Sequence, residues 1–412
     1  MSGVTMTRLR DLGDWSGGNT PPKANAAYWT DGTVPWVSPK DMKIDEITSS
    51  EDRVSEAALK EGRVSLVPEG SVLVVTRSGI LSHTLPVAVA KTPVTINQDL
   101  KALTPKSGVL PKYVAHALRG ASRRILKECS KHGTTVASIE TNALLDFKIP
   151  LVDLDEQRRI VAELEKQLSR LDEAVANLKR VKANAARLVG SVLIDATAGR
   201  LVQPSRAAWR TVQVCEAGEV LLGRQRAPQY LTGRWSRKYL RVANIKDDAI
   251  DFTDVETMDF DEAHFAKYRL APGDILVSEG QSPELLGQSA IFRGYDEPLC
   301  FQKTLHRFRA DPEITTPEFA QIVFRSHVRS GVFRRLGSIT TNIGHLTLEK
   351  FKAAPFLLPP FDEQQRIVAE VDRRFSIVRE VEAEVDVNLK RAQALRQAVL
   401  ARAFAVPSEP GQ

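Results

Sequence analysis

The sequence has no apolar run close to the roughly 18 residues needed to cross a membrane, and its first ten residues, MSGVTMTRLR, hold no apolar signal core. Its three cysteines, Cys129, Cys215 and Cys300, are too scattered for a disulfide framework or a four-ligand zinc site. No Gly-x-x-x-x-Gly-Lys-Ser/Thr phosphate loop occurs, and the seven histidines form no His-Glu-x-x-His pair. A Gly-x-Ser-x-Gly elbow is missing. So is the Asn/Asp-Pro-Pro-Tyr/Phe motif with which DNA amino-methyltransferases hold a flipped base. Asp261-Glu-Ala-His264 spells a helicase-like box without a nucleotide loop upstream, and therefore reads as a charged turn or helix start. These absences predict a soluble, cytoplasmic chain that binds no metal and catalyses nothing alone.

What is present is globular. Hydrophobic residues make up 42% and charged residues 26% of 412, which excludes wholesale disorder and allows two to four domains. The net charge of +6 permits a polyanionic partner without demanding one.

The chain is written twice. Asp155-Glu-Gln-Arg-Arg-Ile-Val-Ala-Glu163 recurs as Asp362-Glu-Gln-Gln-Arg-Ile-Val-Ala-Glu370, with eight of nine positions equal at an offset of 207. Val67-Pro-Glu-Gly-Ser-Val-Leu73 resembles Leu270-Ala-Pro-Gly-Asp-Ile-Leu276, and Gly133, Ile139, Leu144 and Phe147 echo Gly337, Ile343, Leu348 and Phe351. Two halves of about 206 residues follow, each a globular part and then a helical part.

The helical parts repeat apolar residues every three or four positions. Val161, Leu164, Leu168, Leu171, Val175, Leu178, Val181, Ala185, Leu188 and Val192 line the first; Val368, Val371, Phe375, Val378, Val381, Val385, Leu389, Ala392, Leu395 and Val399 line the second. A spacing near 3.5 predicts a coiled-coil seam between two rods of about 38 residues, roughly 57 Å each, paired antiparallel. The globular parts show short β-type runs, among them Val34–Ser38, Ser71–Thr76, Leu85–Ala90, Tyr239–Ala243, Asp274–Ser278 and Ser289–Phe292, with one helix near 111–130 and another near 317–335. Each is α+β.

Residues 1–149 carry 19 basic and 15 acidic side chains, and residues 204–354 carry 21 and 19, whereas the helical parts sum to zero. The positive excess sits on the globular parts. Its densest stretch, Arg224 to Arg241, interleaves Arg224, Arg226, Arg234, Arg237 and Lys238 with Gln225, Tyr230 and Trp235 and holds no acid. Arg and Gln can read guanine and adenine edges, and Lys and Arg neutralise phosphates. In the first half the Gly/Pro-rich loop with Asn19, Thr20 and Lys23 suits close backbone approach. Arg77-Ser78 and Glu279-Gly280-Gln281 follow equivalent strands as loop tips. Arg119, Arg123, Arg124, Lys127, Lys131, Arg325, Arg329, Arg334 and Arg335 add cations at helix ends, where the dipole favours them in any case.

Gly17-Gly-Asn-Thr-Pro21, Tyr28-Trp29 and Val34-Pro-Trp-Val-Ser-Pro-Lys-Asp-Met42 resemble the start of a target-recognition domain of type I restriction–modification specificity subunits. Ile149-Pro-Leu-Val-Asp-Leu-Asp-Glu-Gln157 and Phe356-Leu-Leu-Pro-Pro-Phe-Asp-Glu-Gln364 are similar to that family's entry into its helical regions, the first departing slightly at Val152-Asp153. The resemblance covers essentially the whole chain. It implies two similar α/β target-recognition domains joined by two long antiparallel coiled-coil helices, with a pseudo-two-fold internal repeat. The expected divisions are 1–150 and 204–355 for the recognition domains, 151–203 and 356–406 for central and distal helical spacers, and 407–412 for a tail. The implied function is non-catalytic recognition of a bipartite, asymmetric site on double-stranded DNA. Implied partners are two methyltransferase and two motor-nuclease subunits, whose S-adenosylmethionine, ATP and Mg are bound by them and not by this chain. Basic and polar loop composition points to Asn19, Thr20, Lys23, Arg77, Ser78, Arg224, Gln225, Arg226, Arg234, Arg237, Lys238 and Gln281 as the DNA contacts, and the apolar spacing has the helices pair through Leu164, Leu168, Leu171, Val175, Leu178, Val371, Phe375, Val378, Val385 and Leu389. A coiled-coil adaptor without selective DNA binding is the competing reading.

Overall fold

The structure is a computed structural model describing residues 4–131, 136–202, 209–340 and 342–405. Gly133 of the internal echo, the border at 204–208 and the tail 407–412 lie outside the described residues. The chain divides into two compact units, Met1–Leu178 with Asp386–Gln412, and Lys179–Val385.

In the first unit a five-stranded sheet runs in the order Gly13–Gly17, Leu100–Pro105, Val72–Val75, Val87–Ala90, Glu46–Ile47. The inner strands Val72–Val75 and Val87–Ala90 are buried at every position, which is why they read as unbroken apolar runs instead of alternating ones. The helix Pro111–Gly120 packs on both. A smaller sheet places Val34–Val37 between Asp52–Val54, antiparallel, and Thr95–Ile96, parallel. Thr5–Arg8 pairs with Lys148–Leu151 to lead into the first long helix.

The second unit repeats this plan. Its main sheet runs Gly218–Leu222, Leu305–Ala310, Ile275–Ser278, Ser289–Ile291, with the helix Pro317–Arg329 packed on it. Its smaller sheet places Ser236–Leu240 between antiparallel Glu256–Asp259 and parallel Cys300–Phe301. Arg210–Gln213 pairs with Pro355–Leu358 before the second long helix. The duplicated sequence thus folds into a duplicated α/β topology.

The long helices exceed the expected 38 residues: Leu154–Thr197 has 44 and Phe361–Ala403 has 43. The Asp-Glu-Gln motif lies inside the first turn of each, where its acids complement the positive end of the helix dipole. Asp153 Oδ1 caps the first helix by accepting from Glu156 N at 2.9 Å. Within the first unit Leu164 and Leu168, near that helix's start, pack on Leu400, near the end of the other. Within the second unit Val192, Leu193 and Ala196, from its end, share a core with Ile367, Val371 and Phe375. The pairing is antiparallel in both.

The seam departs from a strict heptad. Leu164, Leu168, Val371, Phe375, Val378 and Val385 are buried, and Leu171, Val175, Leu178 and Leu389 are half-buried. Val181, Leu188, Val381 and Leu395, expected in the seam, are instead 42%, 49%, 39% and 54% exposed. Val189 and Leu193, not Leu188, pack into the second unit's core, as the drift of about 20° per heptad between a 3.6-residue helix and an exact seven-residue repeat allows.

Candidate nucleic-acid interface

Each unit builds a joint where three chain segments meet the turn that follows the parallel strand of its smaller sheet. In the first unit this turn is Asn97-Gln98-Asp99. Asn97 N donates to Val37 O at 2.9 Å, and Asn19 N donates to Ile96 O at 3.0 Å. Thr76 N and Arg77 N donate to Asp99 O at 2.7 and 3.2 Å, and Ile139 N donates to Thr76 O at 2.8 Å. The loops carrying Asn19, Thr20, Arg77 and Ser78 are therefore brought together around one turn.

The second unit repeats four of these five bonds around Gln302-Lys303-Thr304. Gln302 N donates to Leu240 O at 2.9 Å and Arg224 N to Phe301 O at 3.2 Å. Glu279 N donates to Thr304 O at 2.9 Å, and Leu346 N to Glu279 O at 2.7 Å. By these bonds Asn19 corresponds to Arg224, Thr76 to Glu279, Ser78 to Gln281 and Gln98 to Lys303.

One glycine in each joint is obligatory. A Cβ on Gly18 would lie 2.1 Å from Ile96 O and 2.2 Å from Asn97 O, and one on Gly223 would lie 2.3 Å from Gln302 O. The Gly-rich loop does permit close approach, and the backbone it approaches is this turn.

The side chains differ where the backbone agrees. In the first unit Arg77 Nε meets Asp99 Oδ1 at 2.6 Å and the Thr20 hydroxyl donates to Gln98 Oε1. Asn19, Lys23 and Arg77 are exposed, and Thr20 and Ser78 half-buried. In the second unit Gln225 is exposed and Gln281 half-buried. Gly280–Gln281 is not a free loop tip: it pairs as a short strand with Gly344–His345.

Arg224 is a correction to the sequence reading. It is 6% exposed, donates through Nη1 to Asp259 O, and lies 4.2 Å and 5.2 Å from the Tyr230 and Phe260 ring centroids. The guanidinium is consumed in fastening its own loop and cannot reach a partner. The Asp259 carboxylate completes the fastening, accepting from Thr232 Oγ1 at 2.6 Å, Thr232 N at 2.7 Å and Trp235 N at 3.0 Å. The Thr232 hydroxyl, with the backbone donors, holds its pKa below the usual aspartate value.

Arg234, Arg237 and Lys238 sit apart from the joint, on or just before the central strand of the smaller sheet. Arg234 stacks on Trp235 at 5.7 Å and Arg237 on Phe265 at 4.8 Å, and both are exposed without an ion pair among the described residues. Lys238 pairs with Glu297 at 2.9 Å, which raises its pKa, and Arg226 lies 3.8 Å from Glu256. Of the six cations between Arg224 and Arg241, Arg226, Lys238 and Arg241 are thus met by acids from later segments, Arg241 pairing with Asp254 at 2.5 Å and Glu256 at 3.1 Å. Among the helix-end cations, Arg325 is 8% exposed and pairs with Asp247 at 2.9 Å, and half-buried Arg119 meets the exposed Asp45 at 3.2 Å, so both arginines are tied within their own units. Asp261 caps the helix Glu262–Tyr268, accepting from His264 N at 2.9 Å, so the helicase-like spelling is a helix start.

Sequence reasoning passed over Gln98 and Lys303, both exposed at the centre of their joints. The signal was available as the offset of 205 that aligns Ile96-Asn-Gln-Asp-Leu100 with Phe301-Gln-Lys-Thr-Leu305. Among the described residues no cluster of three His, Cys, Asp or Glu side chains could hold a metal ion, and no helix is long and apolar enough to cross a membrane.

Two α/β units, each presenting polar loops around one turn and joined along the chain by a long helix, define a duplicated fold. The family model for the type I restriction modification DNA specificity domain matches residues 1–183 and 210–385, and the chain belongs to that family. It is 42% identical over 163 residues to the EcoR124I/EcoR124II specificity subunit of Escherichia coli, covering 40% of each chain. It is 31% identical over 177 residues to the MjaIX specificity subunit of Methanocaldococcus jannaschii, covering 42% of this chain and 39% of the relative. With the StySPI specificity subunit of Salmonella potsdam it shares 26% over 315 residues, 74% of this chain and 66% of that one. The matched stretches thus span less than two thirds of these relatives. The same fold occurs in a chain from a structure of type I R-M complex assembly (TM-score 0.72, 19% identity, 98% of both chains). It also occurs in the HsdS subunit of Thermoanaerobacter tengcongensis (TM-score 0.54, 17% identity, 98% of this chain and 97% of that one).

Proposed function

We propose that this chain is the DNA-specificity subunit of a type I restriction–modification complex, non-catalytic in itself, in which each α/β unit reads one half of a bipartite, asymmetric site. The observation that carries the reading is the repeated joint. The same backbone hydrogen bonds present different side chains, Arg77 and Ser78 in one unit and Gly280 and Gln281 in the other. A scaffold kept constant while its exposed groups diverge suits two readers of two different sequences.

Its partners are double-stranded DNA, two methyltransferase subunits and two motor-nuclease subunits. The repeated helices offer each partner type two equivalent docking surfaces. S-adenosylmethionine, ATP and Mg belong to those partners. The positive excess on the globular parts supplies only a share of the phosphate contact, and the methyltransferase subunits supply the rest.

The test is to map methylated adenines in DNA from cells expressing this chain with its methyltransferase subunit. An asymmetric motif in two parts with an unspecified gap is the expected result. Methylation without a motif, or a palindromic one, would overturn the proposal.

A further inference from the structure

The geometry points to Gln98 and Lys303 as a matched pair of base-reading residues, Gln98 taking an adenine in one half-site and Lys303 a guanine in the other. The inference rests on the DNA-recognition reading above and names the contact by which each unit reads.

Both residues occupy the middle of a turn whose flanking positions are committed. In the first unit Asn97 Nδ2 donates to Asp99 Oδ2 at 3.0 Å, and Asp99 N donates back to Asn97 Oδ1 at 3.0 Å. In the second, Thr304 Oγ1 donates to Gln302 Oε1 at 2.6 Å. Each turn therefore clasps its first residue to its third and leaves the second exposed. The clasp hangs on a parallel strand pair, Val37 with Ile96 and Leu240 with Phe301, so the exposed residue is placed by sheet and not by loop.

The chemistry of each tip is specific. The Gln98 side-chain carbonyl accepts from the Thr20 hydroxyl, which fixes the amide and leaves one acceptor lone pair and both amide hydrogens. That is the set an adenine requires, an acceptor for N6–H and a donor for N7. Asp99, the one acid in the turn, is already matched by Arg77 at 2.6 Å, so it does not oppose the approach of a phosphate backbone. Lys303 has donors only, and makes no ion pair among the described residues. Donors alone suit the O6 and N7 acceptors of guanine. Its neighbour Thr304, which stands where Asp99 stands in the other unit, carries no charge.

The experiment uses the complex of the full chain with its methyltransferase subunit, and competes its cognate duplex against duplexes changed at each position in turn. Gln98→Ala should reduce discrimination about ten- to a hundredfold at one adenine of one half-site and leave the other half-site unchanged. Lys303→Gln should move the preference at one position of the other half-site from guanine to adenine, and Lys303→Arg should keep guanine. Because both side chains are exposed, the variants should melt with the wild type, which separates misreading from misfolding. Unaltered discrimination at every position would overturn the inference. So would a uniform loss of affinity across all duplexes with a shallower salt dependence, the mark of a phosphate contact. If the wild-type complex itself prefers no sequence, it is the DNA-recognition reading that fails. A selective wild type with unaffected variants removes only the roles of Gln98 and Lys303.

Discussion

The Gln157 side-chain carbonyl accepts a hydrogen bond from the backbone N–H of Leu110 at 2.9 Å, while its amide donates to Gly108 O and Val152 O, each at 2.9 Å. Leu110 precedes Pro111 at the start of the helix Pro111–Gly120, so one buried amide ties that helix to the start of the long one. Gln364 does the same in the second unit, donating to Ile314 O at 2.9 Å and Pro359 O at 3.1 Å and accepting from Thr315 Oγ1 at 2.9 Å. This explains why the motif repeats so closely: its glutamine is a latch. Replacing Gln157 by Ala leaves three partly buried backbone groups without this partner and should lower the unfolding free energy by about 1–3 kcal/mol in denaturant titration. Gln364→Ala should cost a similar amount, and the exposed neighbour Gln365→Ala less than about 0.5 kcal/mol.

Gly18 and Gly223 give a second prediction. Alanine at either forces apart the loop and the turn it crosses, a strain of about 1–3 kcal/mol. Gly18→Ala should weaken recognition of one half-site and Gly223→Ala of the other, measured by competition with half-site variants. Gly79→Ala is the control, since a Cβ there meets nothing within 4 Å.

Stability should fall in mild acid. Burial pushes the imidazoles of His116 and His306 down from 6.5 to about 4. In the window between those values the unfolded chain binds more protons than the folded one, so stability is fully present above about pH 6.5 and is lost as pH falls towards 4. Each group contributes about 1–3 kcal/mol to that loss. The ring of His306 bonds Leu346 O through Nε2 at 2.7 Å, a bond the amide of glutamine can imitate. His306→Gln should therefore flatten the dependence of the unfolding midpoint between pH 7 and pH 5. An unchanged slope would show that His306 titrates normally.

The long helices separate two kinds of leucine. Leu168 is 5% exposed and Leu188 is 49% exposed. Leu168→Ala should cost about 2–5 kcal/mol by opening a cavity, and Leu188→Ala less than about 0.5 kcal/mol, read from thermal or denaturant unfolding of the chain.

Much of the architecture was legible in the sequence. Apolar runs such as Val72–Val75 announced buried strands, and the doubled Asp-Glu-Gln segments announced the repeat and both long helices. A strict heptad misplaced Val181 and Leu188, because a 3.6-residue helix drifts away from an exact seven-residue repeat. The loops of the joint were legible as loops from their Gly, Pro and polar residues. Their convergence was not, since it depends on strands paired across the chain, Trp36 with Thr95 and Tyr239 with Cys300. Counting charge misjudged Arg224, because nothing local shows that Tyr230, Phe260 and the Asp259 carbonyl enclose its guanidinium.

The central claim is that the two units read different sequences independently. It is tested most directly by replacing residues 210–358 with the corresponding segment of a relative of different specificity and mapping adenine methylation beside the unaltered chain. The account predicts a motif in which one half changes and the other half is kept. Retention of the whole original motif, or a change in both halves at once, would contradict it.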